Sequence, residues 1–146
     1  MKEALMEAKK AKIIDEVPGG AVIVFQNKII ARSHNRTKSD LDPTAHAEIV
    51  VLRNTSLYLN TLHLTECDLY VTIEPCPMCA YAISLAKIRR LYFGAYDEKS
   101  GGVENGPCIY THRAAHHKPD CYGGIAADEA GKIMNEFFHC RRTNKK

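Results

Sequence analysis

Two short runs carry side chains that could do chemistry together. In "PTAHAEIVVL" (43–52), His46 and Glu48 stand at the head of an otherwise apolar stretch; in "EPCPMCAYAISLA" (74–86), Cys76 and Cys79 stand in C-x-x-C spacing. Imidazole and thiolate are zinc ligands, and three protein ligands leave a fourth position open for water, as catalytic zinc sites require. Zinc brings the pKa of such a water down to ~7, which makes hydroxide available at neutral pH. Each run follows a proline suited to the first turn of a helix. Cys76 and Cys79 are then i and i+3 on one helix face, near the positive end of the dipole, where the thiolate is favoured. His46 falls at the start of its own helix. Two helix N-termini converging on one metal predict His46, Cys76 and Cys79 as the ligands of one zinc ion per chain. Glu48 does not fully share His46's direction, which suits a carboxylate beside the metal rather than on it. A carboxylate there can take protons from the water and hand them to a ring nitrogen and a leaving amine, the chemistry of hydrolytic nucleobase deamination.

Taken singly, both motifs have plainer readings. A His-x-Glu at a helix start is commonly a solvated pair. A C-x-x-C also serves structural zinc knuckles and redox centres, and Cys108 and Cys121 could complete a four-cysteine structural site. The bulky apolar helix after Cys79 speaks against thioredoxin-like chemistry. The joint pattern, H-x-E followed by P-C-x-x-C, is the known mark of zinc-dependent nucleobase deaminases.

The elements that must position these groups can be read from periodicity and punctuation. Residues 2–16 show a helical rhythm that Pro18-Gly19-Gly20 ends. "AVIVFQ" and "KIIARSH" form a strand pair around a short turn at Asn27. A polar loop leads to a helix opening at Thr44 or Ala45. A strand at "CDLYVTI", a helix from Pro75 to Ala86, a strand at "RRLYFGA" and a closing helix over 126–142 follow. Helices alternating with strands predict a three-layer α/β/α sandwich around a central mixed sheet. The stretch 95–124 shows no long element, and loops of that length usually serve function.

The chain's 146 residues, 45% apolar and 25% charged, suit a single domain over 1–146 with one core. No run reaches the ~18 apolar residues of a membrane span, and the charged N-terminus lacks the apolar centre of a signal peptide. The cytoplasm is the expected compartment, and in it the six cysteines are reduced thiols or metal ligands. Cys67, Cys108, Cys121 and Cys140 read as packing or incidental thiols. A net charge of +3 does not by itself announce a nucleic-acid binder, and the basic tail "RRTNKK" fits a solvated end equally well.

Along nearly its whole length the chain resembles the bacterial tRNA-specific adenosine deaminase family, within the cytidine deaminase-like superfamily. The resemblance runs through "DEVPGGAVIV", "HNR", "DPTAHAEI", "LYVTIEPCPMCA", "FGAYDEKSGG", "HHKP" and "EFFHCRR". It implies conversion of adenosine to inosine at the anticodon wobble position, with an arginine tRNA as the expected partner, by a cytoplasmic homodimer. His46, Cys76 and Cys79 match the family's zinc ligands and Glu48 its proton shuttle. Asn35 matches the asparagine that holds the target nucleoside, and Ala47 the residue whose backbone meets the base. Asp97 and Lys99 match positions near the anticodon loop; Phe138, Arg141 and Arg142 match the helix that borders the RNA. Outside the resemblance, Asn35 would read as a turn residue and Phe138 as core. Two positions depart from the pattern: Gly19 replaces an aliphatic pocket residue, and Tyr81 replaces a small one. The competing classes are a deaminase of free guanine or cytosine and a non-catalytic, zinc-stabilised RNA-binding module.

Overall fold

The computed structural model describes residues 1–145; Lys146, part of the basic tail, lies outside the described residues. The elements run α1 (Lys2–Ile13), β1 (Gly20–Phe25), β2 (Lys28–His34), α2 (Ala47–Leu59), β3 (Cys67–Ile73), α3 (Pro77–Leu85), β4 (Arg90–Ala95), a 3-10 turn (Ile109–Thr111), β5 (Asp120–Tyr122) and α4 (Ala127–Asn144). The strands form one five-stranded sheet in the order β2-β1-β3-β4-β5. β1 pairs antiparallel with both β2 and β3, whereas β3, β4 and β5 run parallel. The sheet is therefore mixed, and the three-layer α/β/α architecture holds.

β-branched and aromatic residues fit a pleated, half-buried surface, and the two sides of the sheet use them differently. Ala21, Ile23, Leu69, Val71, Leu91 and Phe93 point to one side and are fully buried against Val51 of α2 and Ala80 and Ile83 of α3. Burying each large apolar side chain of this kind stabilises by roughly 1.5–3 kcal/mol. The other side is covered by α1 and α4, where Leu5, Ala130 and Ile133 meet Ile73 and Ala95. α1 lies close because Ala4, Ala8 and Ala11, spaced four and three apart, give it a smooth buried face.

Several boundaries differ from the sequence reading. α1 stops at Ile13 because Asp15 turns left-handed (φ 59°) and the Glu16 N–H returns to the Ala11 carbonyl. The Pro-Gly-Gly run is not the stop, and Gly20 already belongs to β1. α2 opens at Ala47 rather than at Thr44 or Ala45, since a turn on Asp42 and Thr44 precedes it. α3 opens at Pro77, not Pro75. The region 95–124 holds β5, which escaped notice as a strand of only three residues. Its middle is stapled to α3 by the Tyr110 hydroxyl, which donates to the Ala80 carbonyl, and the Ser84 hydroxyl, which donates to that of His117. Among the described residues, no helix is long and apolar enough to cross a membrane.

Gly20 shows how tightly α1 is held. A β-carbon there would lie 2.0 Å from the Ala4 carbonyl oxygen and 2.6 Å from the Ala8 nitrogen, both backbone atoms. The neighbouring Gly19 would meet nothing within 4 Å. Gly20→Ala should therefore cost at least about 1–3 kcal/mol, while Gly19→Ala should leave stability nearly unchanged. Thermal melts of the two variants check this, and equal melting temperatures would contradict the assigned contact.

Candidate active site

The side chains of His46, Cys76 and Cys79 meet where the N-termini of α2 and α3 approach each other. His46 is the residue before α2 (φ −68°, ψ 154°) and Cys76 the residue before α3 (φ −67°, ψ 169°), both extended. The helix starts lie two to three residues later than the prolines suggested, so His46 and Cys76 cap rather than open their helices. His46 Nδ1 stands 3.6 Å from Cys76 Sγ and 3.5 Å from Cys79 Sγ. A tetrahedral zinc with ordinary Zn–N and Zn–S lengths holds such donors about 3.6 Å apart. Among the described residues this is the only such set, all its ligand atoms lying within 4.8 Å of one another. Cys108 and Cys121 stand outside it, which removes the four-cysteine structural site.

The protonation of this trio suits a cation. The hydrogen bond with Cys79, aided by His46, lowers the Cys76 thiol to about 4. Its bond with Cys76, together with burial, pushes Cys79 far up. His46 is raised by its contact with Cys76. Negative charge thus collects on one sulfur, and metal ligands must give up their protons on binding. The donor set fits zinc.

Glu48, in the first turn of α2, is buried beside this trio but outside the group of ligand atoms. Burial raises its carboxyl above the usual range. It lines a cavity of about 860 Å³ that also takes in His46 and Cys76. The candidate substrate positions Asn35, Ala47, Asp97, Lys99, Phe138, Arg141 and Arg142 line the same cavity. Phe138 is 43% exposed, while its neighbour Phe137, at 4%, is the core residue. Arg141 is less free than a tail residue would be. Its guanidinium donates to Asp15 (3.0 Å), which also accepts from Lys38, and lies 4.9 Å from the centre of the Phe137 ring. Gly19 lines the cavity with open space above it.

Two buried acids escaped the sequence reading. Glu16 accepts hydrogen bonds from Asn35, Thr37 and Ser39. Glu74, directly before the Pro75-Cys76 step, accepts from the backbone N–H groups of Asp97, Val103, Glu104 and Asn105 and from the Asn105 side chain. It thereby holds the 97–105 loop, with Asp97 and Lys99, over the cavity. Gly102 lets that loop touch down on α3, since a β-carbon there would lie 2.5 Å from the Pro77 nitrogen. Glu16 and Glu74 carry no spacing signal of their own in the sequence. Only their places next to the motifs, "DEVP" and "IEPC", could have drawn attention.

The comparisons with known proteins agree with this geometry. The zinc-binding region of cytidine and deoxycytidylate deaminases matches residues 1–95. The tRNA-specific adenosine deaminase of Agrobacterium fabrum is 51% identical over 142 residues, covering 97% of this chain and 93% of the relative. That of Bacillus subtilis is 40% identical over 146 residues, covering 100% and 91%. A solved structure from work on A-to-I editing by tRNA:A34 deaminases at the wobble position of transfer RNA superposes with a TM-score of 0.90 at 52% identity, covering 91% of this chain and 96% of that one. Guanine deaminase from Nitrosomonas europaea, at 22% identity and a TM-score of 0.80, shares the fold. The chain belongs to the cytidine and deoxycytidylate deaminase zinc-binding family and, within it, to the tRNA-specific adenosine deaminases.

Glu74 allows a stability test. Burial alone would raise its carboxyl, but the Asn105 side chain and the backbone N–H groups outweigh burial and hold it below the ordinary 4.5. An acid lowered in the folded state stabilises above its unfolded pKa, and that contribution is lost as pH falls through the folded value. Glu74→Gln should cost about 1–3 kcal/mol at pH 7, and its deficit relative to wild type should shrink below about pH 4. Thermal melts across pH check both signs; a deficit that grows on acidification would contradict them.

Proposed function

We propose that the chain converts adenosine to inosine at the wobble position of a tRNA anticodon loop, with an arginine tRNA as substrate. The observation that carries this is the His46–Cys76–Cys79 triangle with Glu48 beside it on the wall of an 860 Å³ cavity, a size that suits a nucleoside. His46, Cys76 and Cys79 hold one zinc per chain, which when bound makes water a nucleophile at neutral pH. Glu48, its carboxyl raised by burial, would relay two protons, one from the attacking water to a purine ring nitrogen and a second from the hydroxyl so added to the departing amine. Asn35 and the Ala47 backbone hold the nucleoside. A base stacked in a duplex could not reach so enclosed a carboxylate, whereas an anticodon loop offers an unstacked base at low cost. Asp97, Lys99, Phe138 and Arg142 border the flanking nucleotides; Arg141, committed to Asp15, acts chiefly by shaping the rim. A tRNA substrate supports a cytoplasmic location.

We also infer a homodimer. α2 and α3 expose Leu57, Tyr81 and Leu85, and Leu62 stands on the connection to β3. With Ile49, Leu52 and Ala82, the three leucines line a second, largely apolar groove of about 550 Å³. Contiguous apolar surface of this kind marks an association site.

Mapping inosine in unmodified tRNAs tests the substrate, and brisk turnover of free guanine or cytosine in its place would overturn it. Metal analysis combined with light scattering should return one zinc per chain in a particle of twice the chain mass. Glu48→Ala should keep that zinc and tRNA binding yet lose roughly 10²–10⁴ of turnover; a variant of undiminished rate would assign the proton shuttle elsewhere. Arg142→Ala should weaken tRNA binding most at low salt and flatten its salt dependence by about one phosphate contact. An unchanged salt slope would remove Arg142 from the RNA path.

A further inference from the structure

Glu16 is 1% exposed, and among the described residues no lysine, arginine or histidine pairs with it. A bare carboxylate in such a place is costly unless hydrogen bonds satisfy it. Here four do. Oε1 accepts from the Ser39 N–H (2.7 Å) and hydroxyl (3.0 Å). Oε2 accepts from Asn35 Nδ2 (2.9 Å) and the Thr37 hydroxyl (3.3 Å). Burial would raise this carboxyl, but the bonds from Ser39, Lys38 and Thr37 outweigh it and hold it below its ordinary value. It is ionised at neutral pH and is an acceptor only.

An acceptor-only partner settles which way a carboxamide faces. Asn35 must turn its NH2 toward Glu16, because its C=O there would set oxygen against oxygen. Nδ2 makes a second, longer contact with the Thr37 hydroxyl (3.3 Å). Nδ2 thus has two acceptors inside the protein. Oδ1 receives no hydrogen bond from the described chain, yet no buried side-chain oxygen or nitrogen lacks a partner. Since Asn35 lines the cavity, Oδ1 opens into it. The backbone fixes the same residue, with the Asn35 N–H donating to the Gly19 carbonyl (3.0 Å).

We propose that Glu16 is a positioning residue that fixes the polarity of Asn35, so that the cavity meets its ligand there with a carbonyl acceptor and selects a nucleoside group that donates, an O–H or N–H, over a ring nitrogen. The proposal deepens the deaminase reading and rests on it for the ligand; the orientation of Asn35 stands on the protein alone. A glutamine at position 16, its carbonyl held by the Ser39 N–H, would offer its NH2 to Asn35 and draw the Asn35 carbonyl inward. The carboxylate cannot.

Exchanging the two groups tests this. Asn35→Asp places two carboxylates face to face. Adding Glu16→Gln restores a donor opposite an acceptor, and the outer oxygen of the new aspartate still accepts from a ligand. Zinc content, melting temperature and inosine formation on tRNA should be measured for wild type, each single variant and the pair. Asn35→Asp should melt several degrees lower and Glu16→Gln should restore most of the loss; if the single variant yields no folded protein, recovery of soluble protein by the second change is the same result. No recovery in melting overturns the assigned polarity, whatever the substrate. On tRNA, Asn35→Asp should lower kcat/KM more than tenfold, mainly through KM, and the pair should regain at least tenfold at equal zinc content. If the melting temperature recovers and kcat/KM does not, the ligand takes an N–H from Asn35 and the acceptor role is wrong. A wild type inert on tRNA overturns the functional reading and the ligand half with it, while the melting data decide the orientation.

Discussion

His46 Nδ1 must come within 3.6 Å of two sulfurs that lie 30 and 33 positions further along the chain, and much of the structure can be read as the means of doing so. The two helices that carry them share one face of the sheet. Their N-termini meet because β1 and β3 are neighbours, which sets α2 and α3 side by side. Helix N-termini gather unsatisfied N–H groups and the positive end of the dipole, so thiolate is favoured where they converge. The extended backbone at His46 and Cys76 turns each side chain across its helix end. The fully buried layer of Ile23, Leu69, Val71 and Phe93 beneath makes that approach rigid, since a packed interior does not deform continuously.

Three buried glutamates around this centre show how environment divides one side-chain chemistry into different tasks. Glu16 and Glu74 are met by backbone N–H groups and by hydroxyl or amide groups, and stay ionised despite burial. They act as fixed anchors, one for Asn35 and the loop before α2, the other for the 97–105 loop. Glu48 is buried without such a set of donors, and burial raises its carboxyl. A group poised nearer neutrality is the one able to exchange a proton at working pH. The contrast lies in the hydrogen-bond donors each acid is given, since all three are similarly hidden from solvent.

What the sequence made legible follows the range of the interactions involved. The β1–β2 hairpin and β3 were readable because apolar, β-branched runs and a short turn are local signals. The convergence of His46, Cys76 and Cys79 was readable because two motifs keep fixed spacing. The helix starts were displaced because Pro43 and Pro75 resemble first-turn prolines, while the true first residues, Ala47 and Pro77, depend on His46 and Cys76 taking extended conformations to reach each other. The end of α1 was missed because Asp15 fills a left-handed position more usual for glycine. Glu16 and Glu74 were illegible because their partners lie 19 to 31 residues away.

Asp15 links these levels. A non-glycine residue with φ 59° carries backbone strain of order 1 kcal/mol, and glycine would remove it at once. What aspartate adds is a carboxylate that receives both Lys38, from the loop leading to α2, and Arg141, from the last turns of α4. Each contact is solvent-exposed and weak, so together they bias the position of α4 without locking it. α4 is also the wall that carries Phe138 and Arg142 into the cavity. The strain at the end of α1 is thus tied to the placement of the opposite wall, and a rim held by exposed ion pairs can yield to competing phosphates where a hydrophobic seam could not.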